Sequence, residues 1–268
     1  MPSRTLLAVI SLCAACGPNA EVDGDDDDIP GQPDDGEPGG PDTANAAVYA
    51  HSADQLYRID PATLEVELVA DFDWPGFFGD EMTDIAIDGE GRITGVSYTT
   101  VYSVDPATAR CTELSSLRGG RRFNGLSWVS SGASDAEILI GADQAGNVVQ
   151  IDPMTGDATT LGNYDGGWGS SGDLVAVRGL GILATVTDGD GSDLLARIDP
   201  ASWQATIIGD TGVDDIWGLG FWGSQLYGFT DNRRFVLLDP DTGAASPVES
   251  SSVSWSGAGV TTQAPVVE

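Results

Sequence analysis

The sequence predicts an all-β fold, a five-bladed β-propeller, and three observations support this. A phrase in which an alternating apolar strand runs into Asp-Pro-x-Thr-Gly-like turn chemistry returns five times, at residues 56–63, 101–108, 148–156, 195–202 and 236–243. Such self-similarity, at a period of roughly 40–50 residues, is typical of propellers, solenoids and arrays. Glycine is abundant, at 36 of 268 residues, which suits a β protein with many tight turns. The segments around each phrase supply further strands, giving four per unit, as in a propeller blade.

The repeated phrase encodes a tight turn between two strands. The Asp side chain can accept hydrogen bonds from the backbone of the turn, and Pro fixes φ at the following position. Gly, where it ends the phrase, permits a positive φ. We therefore expect the same turn to join the third and fourth strands of every blade.

The other strands can be placed by aligning the units on this phrase. First strands are expected at residues 83–87, 124–128, 173–177 and 217–221, and second strands at 93–97, 138–141, 182–186 and 226–230. More polar fourth strands follow the phrase, as at 65–69 and 204–208. Gly and Ala in the first strands fit a crowded central channel, where small side chains let blades approach closely.

Closure of the ring is predicted from the two ends of the repeat region. The first unit has three strands, at 48–51, 56–60 and 65–69, and the C-terminal end leaves one unpaired first strand at 256–260. Adding the C-terminal strand to the first blade completes it and protects the sheet edges. This count gives five blades, and six is the alternative.

The charge of the chain limits its partners. The formal net charge is -31 and the sequence pI is about 4.1. All eleven basic residues are Arg. Such a surface repels phosphate backbones, so nucleic-acid binding is excluded as a function class.

The N-terminal segment predicts export and lipid anchoring. Residues 1–15 read as a signal peptide, with Arg4 before a short apolar run, and Ala14-Ala15-Cys16 resembles a bacterial lipobox. Cys16 is therefore the predicted lipidation site, and an ordinary signal peptide is the alternative. Residues 16–45 form a Pro-, Gly- and Asp-rich acidic tether that we expect to be disordered, and residues 46–268 form the propeller. These features place the protein in the bacterial cell envelope, at the outer membrane or its periplasmic face.

The blade phrase also carries a family resemblance. Leu56-Tyr57-Arg58-Ile59-Asp60-Pro61-Ala62-Thr63 and its copies resemble the bacterial propellers of the quinoprotein-like, NHL-like and gluconolactonase-like group. Those relatives usually have six or more blades, so five is a departure from their pattern. The tryptophan-docking signature that quinoproteins repeat is absent, which argues against a quinone cofactor.

Three polar residues stand where first strands begin, at the mouth of the channel: Asp84, Asn124 and Asp173. Oxygen ligands suit a hard divalent cation, and the set is similar to the acidic and Asn ligands of gluconolactonase-like propellers. A divalent cation is thus the candidate cofactor. The alternative is a hydrated polar ring that satisfies the backbone at the strand ends.

A candidate ligand face is predicted on the loops that join fourth strands to first strands. These loops are rich in aromatic, acidic and Arg side chains, of which we select Trp74, Phe77, Arg121, Trp168 and Trp217. Aromatics on loops are costly unless packed or used. The set suits a carbohydrate or a protein segment, and packing over the top of the core is the alternative.

The remaining motifs give less information about function. Residues 188–193 lack the final Glu of an EF-hand loop and read as a hairpin. His51 is the sole His and Cys111 has no His partner, so both are interpreted as strand residues. The sequence therefore predicts a lipid-anchored, non-catalytic binding module. A divalent-metal-dependent hydrolase of lactones or glycosides, with its site at the channel mouth, is the alternative.

Overall fold

The computed structural model describes residues 48–130 and 136–266. Its strands form five antiparallel sheets of four strands each, which confirms the five-bladed prediction. The proposed signal peptide, Cys16 and the tether at 16–45 lie outside the described residues. No helix long and apolar enough to cross a bilayer occurs within the described ranges.

The blades follow one another along the chain. Blade 1 consists of β1 (Val48–His51), β2 (Gln55–Ile59), β3 (Val66–Asp71) and, on its inner edge, β20 (Gly257–Gly259). Blade 2 consists of β4 (Asp84–Ile87), β5 (Ile93–Val96), β6 (Thr100–Val104) and β7 (Cys111–Ser116). Blade 3 consists of β8 (Gly125–Ser130), β9 (Glu137–Ala142), β10 (Asn147–Ile151) and β11 (Ala158–Asn163). Blade 4 consists of β12 (Gly169–Val177), β13 (Gly181–Thr187), β14 (Leu194–Ile198) and β15 (Ala205–Asp210). Blade 5 consists of β16 (Ile216–Trp222), β17 (Gln225–Thr230), β18 (Arg234–Leu238) and β19 (Ala245–Ser250).

The ring closes where the sequence predicts. β20 pairs antiparallel with β1, with Ala258 opposite Ala50, so the first blade is built from both ends of the repeat region. The inner strands β20, β4, β8, β12 and β16 contact their neighbours in that order and return to β20. The five inner strands therefore surround a common centre.

The apolar core lies between neighbouring blades. Leu56, Met82 and Tyr102 belong to the cluster between blades 1 and 2. The seam between blades 5 and 1 is filled by a larger cluster that includes Tyr227 and Trp255, both almost fully buried. Each first strand thus has two covered faces, which is why these strands are apolar throughout rather than alternating.

The repeated turn has the predicted hydrogen bonds in all five copies. The first Asp of each copy accepts, at Oδ1, the backbone N–H groups two and three residues further on, and these residues are Asp60, Asp105, Asp152, Asp199 and Asp239. The residue four positions after this Asp has a positive φ in each copy, and these residues are Leu64, Ala109, Gly156, Trp203 and Gly243. The turn therefore imposes the left-handed conformation even where the residue is not Gly.

The same turn also joins neighbouring blades, which the sequence did not predict. Backbone N–H groups of Cys111, Ala205 and Ala245 donate to carbonyl oxygens of the preceding blade's outer edge, at 2.9–3.1 Å. At the seam between blades 2 and 3, Arg118 N–H donates to the Gly156 carbonyl at 3.0 Å. The phrase is thus a contact between blades as well as a turn within one.

Candidate functional site

A pocket of about 670 Å³ opens on the face that carries the loops into the first strands. Loops of blades 1, 2, 3 and 5 line it, through Ala53, Glu81, Met82, Thr83, Tyr98, Arg122, Phe123, Asn124, Asp143, Gln144, Ala145, Trp217, Asp231, Trp255 and Ser256. A concave site of this size with aromatic walls and a few charged groups is typical of a ligand pocket.

The five residues of the predicted ligand face have different surroundings. Trp217 lines the pocket and is half-buried. Trp74 packs against Phe72 and Tyr102, with ring centroids 5.3 and 5.2 Å away. Trp168 is partly buried against the cluster between blades 3 and 4.

The remaining two predicted residues lie outside the pocket lining. Phe77 is 96% exposed and touches the ring of Phe78 edge-on. Arg121 donates a hydrogen bond to Thr160 Oγ1 at 3.3 Å. The structure thus brings Trp217 to the pocket and leaves the other four elsewhere on the loops.

Sequence reasoning missed Tyr98 and Arg122 as pocket residues. The Arg122 guanidinium lies over the Tyr98 ring, 4.6 Å from its centroid, which is cation–π geometry. Tyr98 lies between β5 and β6, and loops joining second to third strands open on this same face. The signal was present in the topology, but a single Tyr in a short turn does not stand out in sequence.

Below the pocket, Asp84 of blade 2 and Asp173 of blade 4 meet across the centre of the ring. Both are fully buried, and they lie close enough that the charge of Asp173 raises the pKa of Asp84. Asp173 Oδ1 accepts from its own neighbour Leu174 N–H at 2.6 Å, and Oδ2 accepts from Leu219 N–H of blade 5 at 2.7 Å. Asp84 Oδ1 accepts from Ile85 N–H at 2.8 Å. This centre connects inner strands of three blades through two carboxyl groups.

The two carboxyl groups have unequal surroundings. Burial raises the pKa of both well above the ordinary value of 3.8, and for Asp84 the charge of Asp173 raises the pKa further. Backbone donors lower the pKa of both groups, but both oxygens of Asp173 accept backbone N–H groups, whereas Asp84 Oδ2 has no hydrogen-bond partner among the described residues. Since neighbouring like charges disfavour ionisation of both groups, the surroundings favour a neutral, protonated Asp84 beside Asp173.

His51 of blade 1 completes this centre. Its Nε2 lies 3.8 Å from Asp84 Oδ1, and its Nδ1 lies 2.9 Å from the carbonyl oxygen of Ser52. Burial lowers the pKa of His51 to about 4, so the imidazole is neutral at physiological pH. The interpretation of His51 as an ordinary satisfied strand residue is wrong for Nε2, which is buried without a hydrogen-bond partner among the described residues.

Gly257 of β20 lets these groups approach. A Cβ at this position would lie 2.3 Å from His51 Nε2 and 2.5 Å from Asp84 Oδ1. Both distances are too short for any side chain, so Gly is required where the closing strand passes the polar centre.

The predicted metal set is only partly brought together. Asp84 and Asp173 meet, but the side-chain amide of Asn124 donates to the Ser170 carbonyl at 3.0 Å. Three of the four carboxylate oxygens already accept backbone N–H groups. Among the described residues, no group of three or more His, Cys, Asp and Glu side chains could hold a metal ion. The arrangement favours a protonated Asp84, and the metal site stays a prediction.

Burial also raises the pKa values of Asp193 and Cys111. Burial raises the pKa of Asp193 to about 6, and its Oδ2 accepts from Ile216 N–H at 2.7 Å, at the start of β16. Burial raises the pKa of the Cys111 thiol to about 12, so the thiolate that a nucleophile needs is not formed. Asp193 therefore holds the first residue of β16 in blade 5, and Cys111 packs in the core.

Comparison with known proteins gives no function for this chain. The described residues form a β-propeller. No family model matches the chain, and no curated protein matches it. It is similar to the computationally designed protein Ika8, with a TM-score of 0.37 and 16% identity over 80% of this chain and 61% of that chain. It is also similar to a protein of unknown function from Bacteroides caccae, with a TM-score of 0.45 and 10% identity over 76% of this chain and 73% of that chain. The chain thus spans about three fifths of the length of Ika8.

Proposed function

We propose that this protein is a non-catalytic propeller that binds a ligand in the loop-face pocket while a lipid on Cys16 holds it in the cell envelope. The observation that carries the binding role is the pocket of about 670 Å³, to which four of the five blades contribute. A site assembled from four separate blades keeps its shape because the ring fixes the loops relative to one another.

Charged and aromatic groups in this pocket support a binding role. Glu81, Asp143 and Asp231 provide carboxylates, Arg122 a guanidinium, and Trp217 a half-buried ring. Such a mixture orients a polar ligand on an apolar surface.

The binding role can be tested with the full chain on a glycan array and a peptide library. We expect at least one hit that Trp217→Ala loses and Phe77→Ala retains, because Trp217 lines the pocket and Phe77 lies outside its lining. Hits that both variants retain would show that binding uses another surface.

Anchoring rests on the sequence around Cys16, which lies outside the described residues. Fatty-acid labelling in cells tests it: label should appear on the wild-type chain and be lost in Cys16→Ser. Label that survives this substitution would reject the anchor.

One observation favours the alternative, a hydrolase of lactones or glycosides. Asp84 and Asp173 form a buried carboxyl pair with raised pKa values, Asp84 directly follows Thr83 of the pocket lining, and a carboxyl group with a raised pKa can act as a general acid. Full burial of both groups supports the binding role, since neither reaches a ligand in the pocket. Hydrolysis of lactone or chromogenic glycoside substrates, lost in Asp84→Asn and dependent on a divalent cation, would reverse this ranking.

A further inference from the structure

The loop-face pocket has polar groups of both hydrogen-bonding kinds without partners. Asn124 Oδ1, an acceptor, and Trp255 Nε1, a donor, are both buried and unpaired among the described residues. Buried polar groups normally find a partner, and those that do not require an explanation. Neither atom is accessible, so neither contacts a ligand in the pocket, and the ligand class is indicated by the accessible part of the lining.

The aromatic part of the lining is suited to a carbohydrate. Trp217 lines the pocket and is half-buried, so part of this residue is accessible to a ligand. Sugars present an apolar C–H face and a rim of hydroxyls, and an indole ring provides the matching apolar surface. The volume of about 670 Å³ lies in the range of small-ligand sites and has room for a short oligosaccharide.

The charges of the lining restrict the ligand further. Two of its three carboxylates are engaged: Asp143 accepts from Asn147, and Asp231 accepts from Ser254. Glu81 is exposed, and its carboxylate has no hydrogen bond or ion pair with another described residue. The guanidinium of Arg122 keeps its positive charge over the Tyr98 ring, so the lining has three negative groups and one positive group, and its balance is negative.

We infer that the pocket takes a neutral or amine-bearing carbohydrate, with Glu81 holding the amine. This rests on the proposed function, because it assigns a ligand class to the same pocket. An acidic carbohydrate is excluded for two reasons. The carboxylate of Glu81 repels it inside the site, and the net charge of -31 repels it before it reaches the protein.

Isothermal titration of the full chain with three trisaccharides tests the assignment. The probes are a glucosamine trimer, its N-acetylated counterpart and a galacturonic acid trimer. We expect the amine form to bind about fivefold more tightly than the acetylated form, as one partly exposed ion pair provides. The galacturonic acid trimer should bind at least about tenfold more weakly than the acetylated form.

Three variants distinguish binding in the pocket from general attraction of an amine to an acidic surface. Glu81→Gln should remove the preference for the amine while retaining binding of the acetylated trimer. Its matched control, Glu67→Gln on the exposed side of β3, should keep the preference. Trp217→Ala should weaken both sugars by tenfold or more.

Three results would overturn the inference: galacturonate binding as tightly as the amine form, amine binding that persists in Trp217→Ala, or no binding of any trimer. The last result would remove the carbohydrate assignment and leave the binding role intact if a peptide-library hit depended on Trp217. Loss of every Trp217-dependent hit would reject the binding role itself.

Discussion

Asp84 of blade 2 and Asp173 of blade 4 lie together, fully buried, at the centre of the ring, and burial raises the pKa of both carboxyl groups. Asp173 also accepts from Leu219 N–H of blade 5, so this centre connects inner strands of three blades. His51 lies beside Asp84, and Gly257 of the closing strand leaves room for both side chains. Closure of the ring and the chemistry of its centre therefore depend on the same few residues.

Replacing Asp84 should change how the free energy of unfolding depends on pH. The pKa of Asp84 is raised above 3.8 in the folded state, so unfolding releases a proton at any pH between these two values. The stabilisation is thus fully present below 3.8 and is lost as pH rises, by about 1.4 kcal/mol per pH unit. Asp84→Asn keeps a neutral group beside Asp173 and should reduce this loss to the part that comes from the raised pKa of Asp173. Urea unfolding of both proteins from pH 4 to 9 measures the difference.

Asp173→Asn is the matched control for that experiment. An amide has one acceptor oxygen, so it cannot accept from both Leu174 and Leu219. We expect a loss of about 1–3 kcal/mol that is already present at pH 4, where Asp84→Asn changes stability least. Equal effects of the two substitutions would contradict the assignment of the proton to Asp84.

His51 reports the charge of Asp84. As the sole His in the chain, it gives one imidazole titration in an NMR experiment. We expect a midpoint near pH 4, because burial lowers its pKa and a protonated Asp84 provides no compensating charge. Its contribution to stability is present above the ordinary value of 6.5 and is lost as pH falls towards 4. A midpoint above 6.5 would instead mean a charged His51 paired with an ionised Asp84.

Ala substitutions at two glycines with similar φ distinguish the cost of backbone strain from the cost of a steric clash between blades. Gly91 (φ 79°) has open space around a built Cβ, whereas at Gly156 (φ 72°) the Cβ would lie 1.9 Å from the carbonyl oxygen of Ser116. Gly91→Ala should cost about 1 kcal/mol, and Gly156→Ala about 3 kcal/mol or more. Calorimetric melting of both variants provides the comparison. Equal costs would show that the turn makes no tight contact with the preceding blade.

Deleting residues 254–268 should destabilise the whole ring. The deletion removes β20, exposes the edge of β1, and takes away Trp255, which is 1% exposed and packs against Tyr57 and Phe229. We expect a lower and broader melting transition by circular dichroism. Gly257→Ala tests the same closure in a chain of full length and should also lower the melting temperature. A deleted chain that melts like the wild type would contradict closure by β20.

Local sequence patterns were enough to predict the fold. They were not enough to predict which polar side chains meet at the centre of the ring. The Asp-Pro turn and the unpaired C-terminal strand are signals within a few residues, and both are confirmed. The contact of Asp84 with Asp173 joins positions 89 residues apart, and the partner of His51 depends on which blades face each other. β12 is also longer than expected, with a register shift between Ser170 and Leu174 that places Asp173 inside the strand. Such long-range placement follows from ring geometry, which no single segment encodes.

The most direct test of the binding role is titration calorimetry with the strongest Trp217-dependent hit from the array or library. We predict saturable binding at one site per chain, weakened tenfold or more in Trp217→Ala and unchanged in Phe77→Ala. Affinity that is the same in all three proteins would contradict the loop-face pocket as the ligand site.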